Sequence, residues 1–318
     1  MKESILPRMH SDAQDMVLGG IMKHVEDKKM VIVLGEPGVG KTTTLLDFCI
    51  LNKTPTYYYR CSANTTMNSL LIFIANAIGI HVIGGNDEIQ NRIQKKLQQT
   101  PDYCFVFDEA EYLTYGNGTK IDVLRQIYDE TDVPIILCGT YVLKDLISGE
   151  RKKNKYMTHN RPQIFRRLRK EEFDRIKQSE IIEYMNTLEK SYAVSFDTQT
   201  RAELITICRD ISSGGLGNFI ELIEIIFGVV RPEWKQISNQ LNAEIGRVPH
   251  YHQEKSQTFF AIRPSKNGDD DQEPKTFLDD LKTATSETVV ENIDLTKLTV
   301  AKIDVNILKD AIYHKMLM

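Results

Sequence analysis

Short apolar runs alternate with amphipathic stretches along the first half of the chain. Runs with the length and the apolar or aromatic content of strands lie at 30–34, 56–61, 103–107 and 134–138. Between them, apolar residues recur at helical spacing in 64–78, 87–99 and 121–130. Strands that alternate with helices predict an α/β fold, in which helices cover both faces of a central parallel sheet.

The pattern changes near residue 172, where the strand signal ends. Helical periodicity continues near 179–191, 198–210, 217–230 and 235–246. We therefore predict that residues 1–171 form an α/β core that begins with a lead-in helix, and that residues 172–248 form a small helical unit. Residues 249–318 are polar, with an acidic linker and weak amphipathic pieces. That composition predicts a tail that docks onto a partner rather than a third folded domain.

Composition narrows the class of protein only modestly. The 318 residues carry a net charge of −4, which argues against wholesale coating of nucleic acid, although basic residues crowd between 151 and 170. The sequence has no apolar run of the roughly 18 residues that a membrane span needs, and its first residues lack a secretory apolar core. Its five cysteines form no C-x-x-C pair. These features predict a cytoplasmic protein with reduced cysteines and no membrane association.

The strongest chemical signal is a glycine-rich loop between the first strand and the helix that follows it. Residues 35–42 fit the pattern G-x-x-x-x-G-K-[ST] in full. Glycines let backbone N–H groups surround a β-phosphate, while Lys41 reaches the β- and γ-phosphates and Thr42 ligates Mg²⁺. The sequence therefore predicts a site for a nucleoside triphosphate and Mg²⁺. Its residues are Gly35, Glu36, Pro37, Gly38, Val39, Gly40, Lys41, Thr42 and Thr43.

Two adjacent acids, Asp108 and Glu109, follow the apolar run at 103–107. Downstream of a complete phosphate loop, this pair predicts that Asp108 holds Mg²⁺, directly or through water, and that Glu109 polarises the attacking water. Thr140 ends the next strand. Because parallel strands finish at the same edge of a sheet, Thr140 could lie beside Glu109 and orient water. A helix cap for 141–147 is the alternative.

Arginines crowd the block at 163–169, where Arg166, Arg167 and Arg169 stand among apolar residues. The transition state of phosphoryl transfer spreads charge over the γ-phosphoryl oxygens, and an arginine supplied by a neighbouring subunit stabilises that charge. Such an arginine would also couple assembly to the nucleotide. The alternative interpretation of the block is a solvated basic turn.

Taken together, these motifs resemble those of AAA+ ATPases, and more closely those of the transposition-regulator group, the MuB, TnsC and TniB proteins. The closer likeness is carried by 107–111 with the helix 121–128, and by 136–143 leading on to 165–168. It covers residues 15–245. The resemblance implies an AAA+ core with a helical lid, and it also favours ATP over GTP, a choice that the sequence chemistry leaves open.

The resemblance implies roles for several residues. Arg167 matches the arginine finger of the family, with Arg166 as the alternative, and Thr140 matches the sensor at the end of the fourth strand. In the lid, Gly217 and Asn218 stand where many AAA+ proteins place an arginine that touches the γ-phosphate. We therefore expect lid closure on ATP to be weaker or differently made.

The resemblance also implies that the protein binds double-stranded DNA. Relatives assemble with ATP into rings or helical filaments on DNA, which they hand to a transposase. The matching candidates for DNA contact are Lys95, Lys96, Thr119 and Lys120. Lysines and hydroxyls follow phosphates rather than read bases. A solvated helix face is the alternative for the two adjacent lysines, and the basic run at 151–155 is a further candidate, or a mobile loop.

These implications predict an ATP-dependent, DNA-binding regulator of transposition in which hydrolysis drives disassembly. The expected cofactors are ATP and Mg²⁺. The expected partners are double-stranded DNA, further copies of the chain, a transposase and a target-selection protein. Two other functions remain open: a replication initiator or helicase loader of the AAA+ class, and a signalling or secretion switch ATPase without DNA.

Overall fold

A computed structural model describes residues 9, 11–115, 118–148, 164, 166–192, 194–210, 215–230, 259–262 and 301–317. These residues form two compact units. An α/β unit contains the described residues of 12–175 together with 259–262, and a helical unit contains those of 9–11, 176–230 and 301–317. Each unit has buried apolar clusters of its own.

A six-stranded sheet organises the α/β unit. The strands of the chain are β1 (Met30–Leu34), β2 (Thr56–Arg60), β3 (Cys104–Asp108), β4 (Ile135–Gly139), β5 (Leu168–Glu172), β6 (Val194–Phe196), β7 (Phe259–Ile262) and β8 (Ala301–Ile303). The sheet has the order β5-β1-β4-β3-β2-β7, in which β1 to β5 are parallel and β7 is antiparallel to β2. The parallel strands therefore end at one common edge.

Helices cover both faces of this sheet. In the α/β unit they are α1 (Asp12–Glu26), α2 (Lys41–Leu51), α3 (Met67–Ala77), α4 (Asn86–Gln99), α5 (Thr119–Thr131) and α6 (Tyr141–Ser148). Side chains of β1 alternate between two cores: Ile32 packs in the core with α3, α4 and α5, while Val31 and Val33 pack in the core with α1 and α2. A strand buried on both faces reads as a continuous apolar run. The structure thus confirms the predicted α/β fold.

The helical unit packs around one core. Its helices are α7 (Gln178–Tyr192), α8 (Thr198–Arg209), α9 (Gly215–Val230) and α10 (Val305–Leu317). The buried stripe of α9 includes Phe219, Ile223 and Ile226, at the spacing of one helix face. Ile303 of β8 and Leu308 of α10 lie in the same core, and β8 pairs in parallel with β6.

The carboxy-terminal region differs from the sequence-based expectation. Polar composition predicts a tail over 249–318, yet β7 pairs with β2, and 301–317 contribute a strand and a helix to the helical unit. The strand signal was also expected to end near 172, but β6 and β8 follow. Strands of three or four residues carry too little periodicity to be recognised in a sequence. The periodic stretch at 235–246 and the basic run at 151–155 lie outside the described residues.

The five cysteines are core residues of the protein. All five cysteines are free and buried, and burial raises the pKa of the Cys49 thiol to about 12. Such thiols stay protonated and behave as core residues. Within the described segments, none of the helices has both the length and the apolar character that crossing a membrane requires.

Because Leu308 is fully buried in the helical unit, we expect Leu308→Ala to lower the free energy of unfolding of that unit by ~2–5 kcal/mol. Lys309→Ala, at the exposed next position of α10, should change it by ~0.5 kcal/mol or less. Urea unfolding of the full chain, followed by circular dichroism, measures both. Equal small effects would show that α10 is dispensable for the core.

Candidate nucleotide-binding site

The glycine-rich loop lies where β1 ends and α2 begins, at the common edge of the parallel strands. The Gly35 N–H donates to the Gly139 carbonyl at 3.3 Å, which ties the start of the loop to the end of β4. Lys41 Nζ donates to the backbone carbonyls of Gly35 at 2.9 Å and Glu36 at 2.8 Å. A cation is therefore held inside the loop, at the amino terminus of α2, where phosphate oxygens are favoured.

The backbone conformation of Gly40 favours glycine at this position of the loop. Its φ is 94°, a left-handed conformation that favours glycine. A Cβ at this position would also lie 2.1 Å from Nε2 of Gln14. Gln14 belongs to α1 and is buried, so the lead-in helix packs directly on the phosphate loop. Sequence reasoning missed Gln14 because only the apolar residues of α1 gave a periodic signal.

Asp108 ends β3 and is the most constrained polar group of the site. Its side chain is only 1% exposed. Oδ2 accepts hydrogen bonds from Thr42 Oγ1 at 2.7 Å and from the Tyr58 hydroxyl at 2.8 Å, while Oδ1 accepts from the Glu109 N–H at 2.9 Å. Burial, and next the charge of Asp108, raise the pKa of Tyr58 far above its ordinary value. The phenol therefore stays protonated and donates a hydrogen bond to the carboxylate.

Thr42 and Asp108 fit the requirements of Mg²⁺. They offer two hard oxygen atoms, 2.7 Å apart, beside the phosphate loop. Mg²⁺ usually takes one or two protein oxygens and completes its shell with substrate phosphates and water. The described residues contain no group of three or more His, Cys, Asp or Glu side chains that could hold a metal ion. Bound there, the ion would neutralise phosphate charge.

Glu109 has a strained backbone and a loosely held side chain. Its φ of 53° is left-handed, a conformation that costs a non-glycine residue of order 1–3 kcal/mol and that clusters at functional sites. Its Oε1 lies 3.4 Å from Nη2 of Arg60, whose side chain is 62% exposed. Exposed ion pairs contribute little free energy. Glu109 can therefore exchange Arg60 for a water molecule at small cost, and sequence reasoning had not assigned Arg60 a role.

Thr140 follows β4, next to the end of β3. The two strands pair in register, with Phe107 opposite Leu137, so the residues after them start from neighbouring positions at the sheet edge. Both the N–H and the hydroxyl of Thr140 lie within hydrogen-bond distance of Glu111 Oε1, at 3.3 and 3.1 Å. Sequence reasoning assigned a role to Thr140 but none to Glu111.

Arg166 and Arg167 lie at the amino-terminal ends of the parallel strands, opposite the ends that carry the phosphate loop. They form a short helical segment directly before β5, whose Leu168 pairs with Met30 at the start of β1. The phosphate loop follows the end of β1, and a five-residue strand separates the two edges by ~15 Å. Arg167 forms an ion pair with Asp129 of α5. The structure therefore does not bring either arginine to the phosphate loop of its own chain.

The candidate DNA contacts do not form one patch. Lys95 is exposed and Lys96 half-buried in the last turns of α4, and Thr119 is exposed at the first residue of α5. Gln90 bonds to Gln126 and Gln98 to the Glu130 carbonyl, so α4 and α5 run in the same direction. Thr119 thus lies near the amino-terminal end of the pair, roughly 14 Å along the axis from the lysines.

Lys120 differs from the expected DNA contact. The residue is 8% exposed, and its Nζ donates to the carbonyls of Thr65 and Tyr115, both at 3.0 Å. Burial lowers its pKa. The ammonium group thus ties the loop after β2 to the segment before α5, and its geometry does not support a contact with DNA. The sequence could not show this, because a lysine at the start of a polar helix can point either into the protein or into solvent.

Gly217 and Asn218 lie in the first turn of α9 in the helical unit. The Asn218 amide oxygen accepts a hydrogen bond from Lys315 Nζ, and Lys315 also pairs with Glu221. A basic side chain from α10 therefore lies beside the position where the resemblance implied a missing arginine. Residues 211–214, just before α9, lie outside the described residues.

Comparison with known proteins agrees with this geometry. Residues 23–147 match the family described as AAA domain. A Walker-type ATPase of Pyrococcus abyssi is structurally similar, with a TM-score of 0.50 at 14% sequence identity over 77% of this chain and 76% of that one. Domain III of the Thermotoga maritima replication initiation protein DnaA gives a TM-score of 0.44 at 10% identity over 73% and 88%, too weak to support a conclusion. No curated protein matches closely enough to count as a relative.

The sheet order, the phosphate loop and the matched family together define the class of the α/β unit. It has the fold of the P-loop nucleoside triphosphatases of the AAA type. The finer likeness to transposition regulators remains a prediction.

We expect Tyr58→Phe to raise the Mg²⁺ concentration needed for half-maximal nucleotide binding by about tenfold, because removing a partner that orients a metal ligand has effects of this size. Tyr59→Phe is the matched control, since its ring packs in the opposite direction, 4.8 Å from Phe73. Anisotropy of a fluorescent ATP analogue, titrated with Mg²⁺, gives the values. An unchanged Mg²⁺ requirement in Tyr58→Phe would mean that Asp108 does not depend on the phenol.

Proposed function

We propose that this protein is an ATP-hydrolysing, DNA-binding regulator of transposition that assembles with ATP on double-stranded DNA and delivers it to a transposase. The observation that carries the proposal is the separation of the hydrolytic residues from Arg167. They lie at opposite ends of the parallel strands, so Arg167 can reach a phosphate loop only in a neighbouring subunit. Assembly and nucleotide state are then coupled.

The site residues divide the work of hydrolysis among them. Lys41 and the loop N–H groups bind the phosphates, and Thr42 and Asp108 hold Mg²⁺. Glu109 takes a proton from the water that attacks the γ-phosphorus, and the bond to the β–γ bridging oxygen breaks. ATP is preferred to GTP here on the strength of the resemblance alone.

Arg167 suits a role at a neighbouring subunit. Its side chain is one-third exposed and pairs with Asp129, whose other oxygen pairs with Arg125 at 2.9 Å. Asp129 therefore keeps the guanidinium ordered without removing it from the surface. A planar guanidinium with a fixed orientation is suited to phosphate oxygens. Arg166, which is more exposed, is the alternative at this rim.

DNA binding is proposed from the resemblance and from the exposed basic residues of the α/β unit. Lys95 lies on the surface of α4, with Lys96 partly exposed beside it. The transposase and a target-selection protein are proposed as partners on the same ground. Five buried, free cysteines suit the reducing conditions of the cytoplasm, where such partners would meet the protein.

A mixing experiment tests the shared site. Arg167→Ala keeps Glu109, and Glu109→Gln keeps Arg167, so each variant alone should hydrolyse ATP at a low rate. In an equal mixture, about one quarter of the interfaces combine an intact Glu109 with an intact Arg167, because subunits join head to tail at random. We therefore expect about a quarter of wild-type turnover, measured as phosphate release with DNA present.

Arg169→Ala is the matched control, since Arg169 lies exposed in β5 two residues away. Alone it should hydrolyse ATP at the wild-type rate, and its equal mixture with Glu109→Gln should give about half of that rate, because every subunit keeps Arg167 and half keep Glu109. A mixture of Arg167→Ala and Glu109→Gln that is no faster than its components would show that Arg167 does not act across an interface.

DNA binding is tested with a non-hydrolysable ATP analogue. We expect rings or filaments on double-stranded DNA with the analogue but not with ADP, seen by electron microscopy. In filter binding, Lys95→Ala should reduce the slope of log affinity against log salt by about one, the effect of losing one phosphate contact. Lys53→Ala, another exposed lysine, should keep the wild-type slope.

Nucleotide binding without any assembly on DNA would contradict the DNA role. A signalling or secretion switch ATPase would then be the better description. Assembly on DNA that loads a helicase instead of stimulating a transposase would favour the replication alternative.

A further inference from the structure

Glu111 is a charged side chain near the nucleotide site to which the proposed chemistry gives no role. It lies in the short 3₁₀ helix Ala110–Thr114 that follows β3, three residues after Asp108. Its Oε1 contacts both the N–H and the hydroxyl of Thr140, at 3.3 and 3.1 Å. Its carboxylate therefore joins the end of β3 to the end of β4.

The direction of these two hydrogen bonds follows from the groups involved. A backbone N–H can only donate, so Oε1 of Glu111 acts as an acceptor toward Thr140. The Thr140 hydroxyl shares the same oxygen atom and must donate its only proton to it. The Thr140 hydroxyl oxygen can then accept further hydrogen bonds through its lone pairs but has no proton left to donate.

The carboxylate of Glu111 packs closely against the end of β4. A Cβ on Gly139 would lie 2.3 Å from Glu111 Oε2, so the carboxylate rests against a residue that has no side chain. Oε2 itself is buried and accepts no hydrogen bond from the described residues. A buried carboxylate oxygen without a partner is costly, and a helix connection alone does not require an acid here.

We propose that Glu111 is a positioning residue that fixes the proton of the Thr140 hydroxyl, so that Thr140 meets the attacking water only as a hydrogen-bond acceptor. The inference rests on the proposed ATP hydrolysis. A water that gives one proton to Glu109 and points the other at Thr140 directs its lone pair at the γ-phosphorus. Two acceptors at the ends of neighbouring strands thus orient the nucleophile.

The assignment makes Thr140 different from a donor to the γ-phosphate. If Thr140 donated to a phosphate oxygen, Glu111 would compete for its proton, and removing Glu111 would raise turnover. If Thr140 accepts from water, removing Glu111 frees the hydroxyl to rotate and turnover falls. The sign of the change in kcat therefore separates the two roles.

Steady-state ATP hydrolysis by the full chain, with saturating DNA, tests the proposal. We expect Glu111→Ala to lower kcat by about tenfold while KM for ATP stays within about twofold, the pattern of an interaction made in the transition state. Glu111→Gln should retain most of kcat, because its amide oxygen can accept both bonds. Thr140→Val should lower kcat similarly, and the Glu111→Ala/Thr140→Val double variant should be no slower than Thr140→Val.

Thr114→Val is the matched structural control. Its hydroxyl donates to the Glu111 carbonyl at 2.6 Å in the same 3₁₀ helix, so its loss perturbs that helix without touching the Glu111 carboxylate. We expect a lower melting temperature with kcat unchanged. Should Glu111→Ala fail to fold, Glu111→Gln and Thr140→Val decide: fast and slow turnover respectively support the proposal, and equal turnover overturns it.

The outcomes separate this proposal from the proposed function. An unchanged or raised kcat in a folded Glu111→Ala protein overturns the role of Glu111 while hydrolysis stands. A raised KM for ATP with kcat unchanged also overturns it, since that result would place Glu111 in ground-state binding. A wild-type protein that hydrolyses no nucleoside triphosphate, with or without DNA, overturns both.

Discussion

The site depends on one buried carboxylate. Asp108 joins three parts of the α/β unit, because its oxygens accept from Thr42 at the start of α2, from Tyr58 on β2 and from the backbone that follows β3. A carboxylate that is 1% exposed must be satisfied by such donors. The same bonds that make its burial tolerable also fix the metal-binding atoms beside the phosphate loop.

The parallel sheet, the phosphate loop and the acidic residues after β3 could be predicted, because their sequence signals are local. The apolar runs of β1, β3 and β4 and the pattern at 35–42 are continuous in sequence, and a parallel sheet then places Asp108 and Thr140 at the edge where the loop lies. Tyr58, Gln14 and Glu111 could not be predicted in the same way. Each reaches the site by a contact between separate elements, and each has a residue type that is ordinary for its strand or helix.

Where prediction and structure disagree, side-chain direction or long-range pairing is the reason. Lys120 looks like a surface lysine at a helix start, yet the carbonyls of Thr65 and Tyr115 draw its ammonium inward. Residues 301–317 look like a polar tail, yet they pair with β6 and fill the core of the helical unit from far along the chain. The direction of a single lysine gives no periodic signal, and the weak amphipathic pieces of the tail do not say which distant element they pack against.

The position of Arg167 determines how many complete active sites an assembly of this chain would contain. If each subunit lends its arginine to one neighbour, an open row of n subunits contains n − 1 complete sites, and the site of the last subunit lacks an arginine and cleaves its nucleotide slowly. A closed ring contains n. An open filament would therefore keep one end in the triphosphate state, and that end would differ chemically from the rest of the polymer.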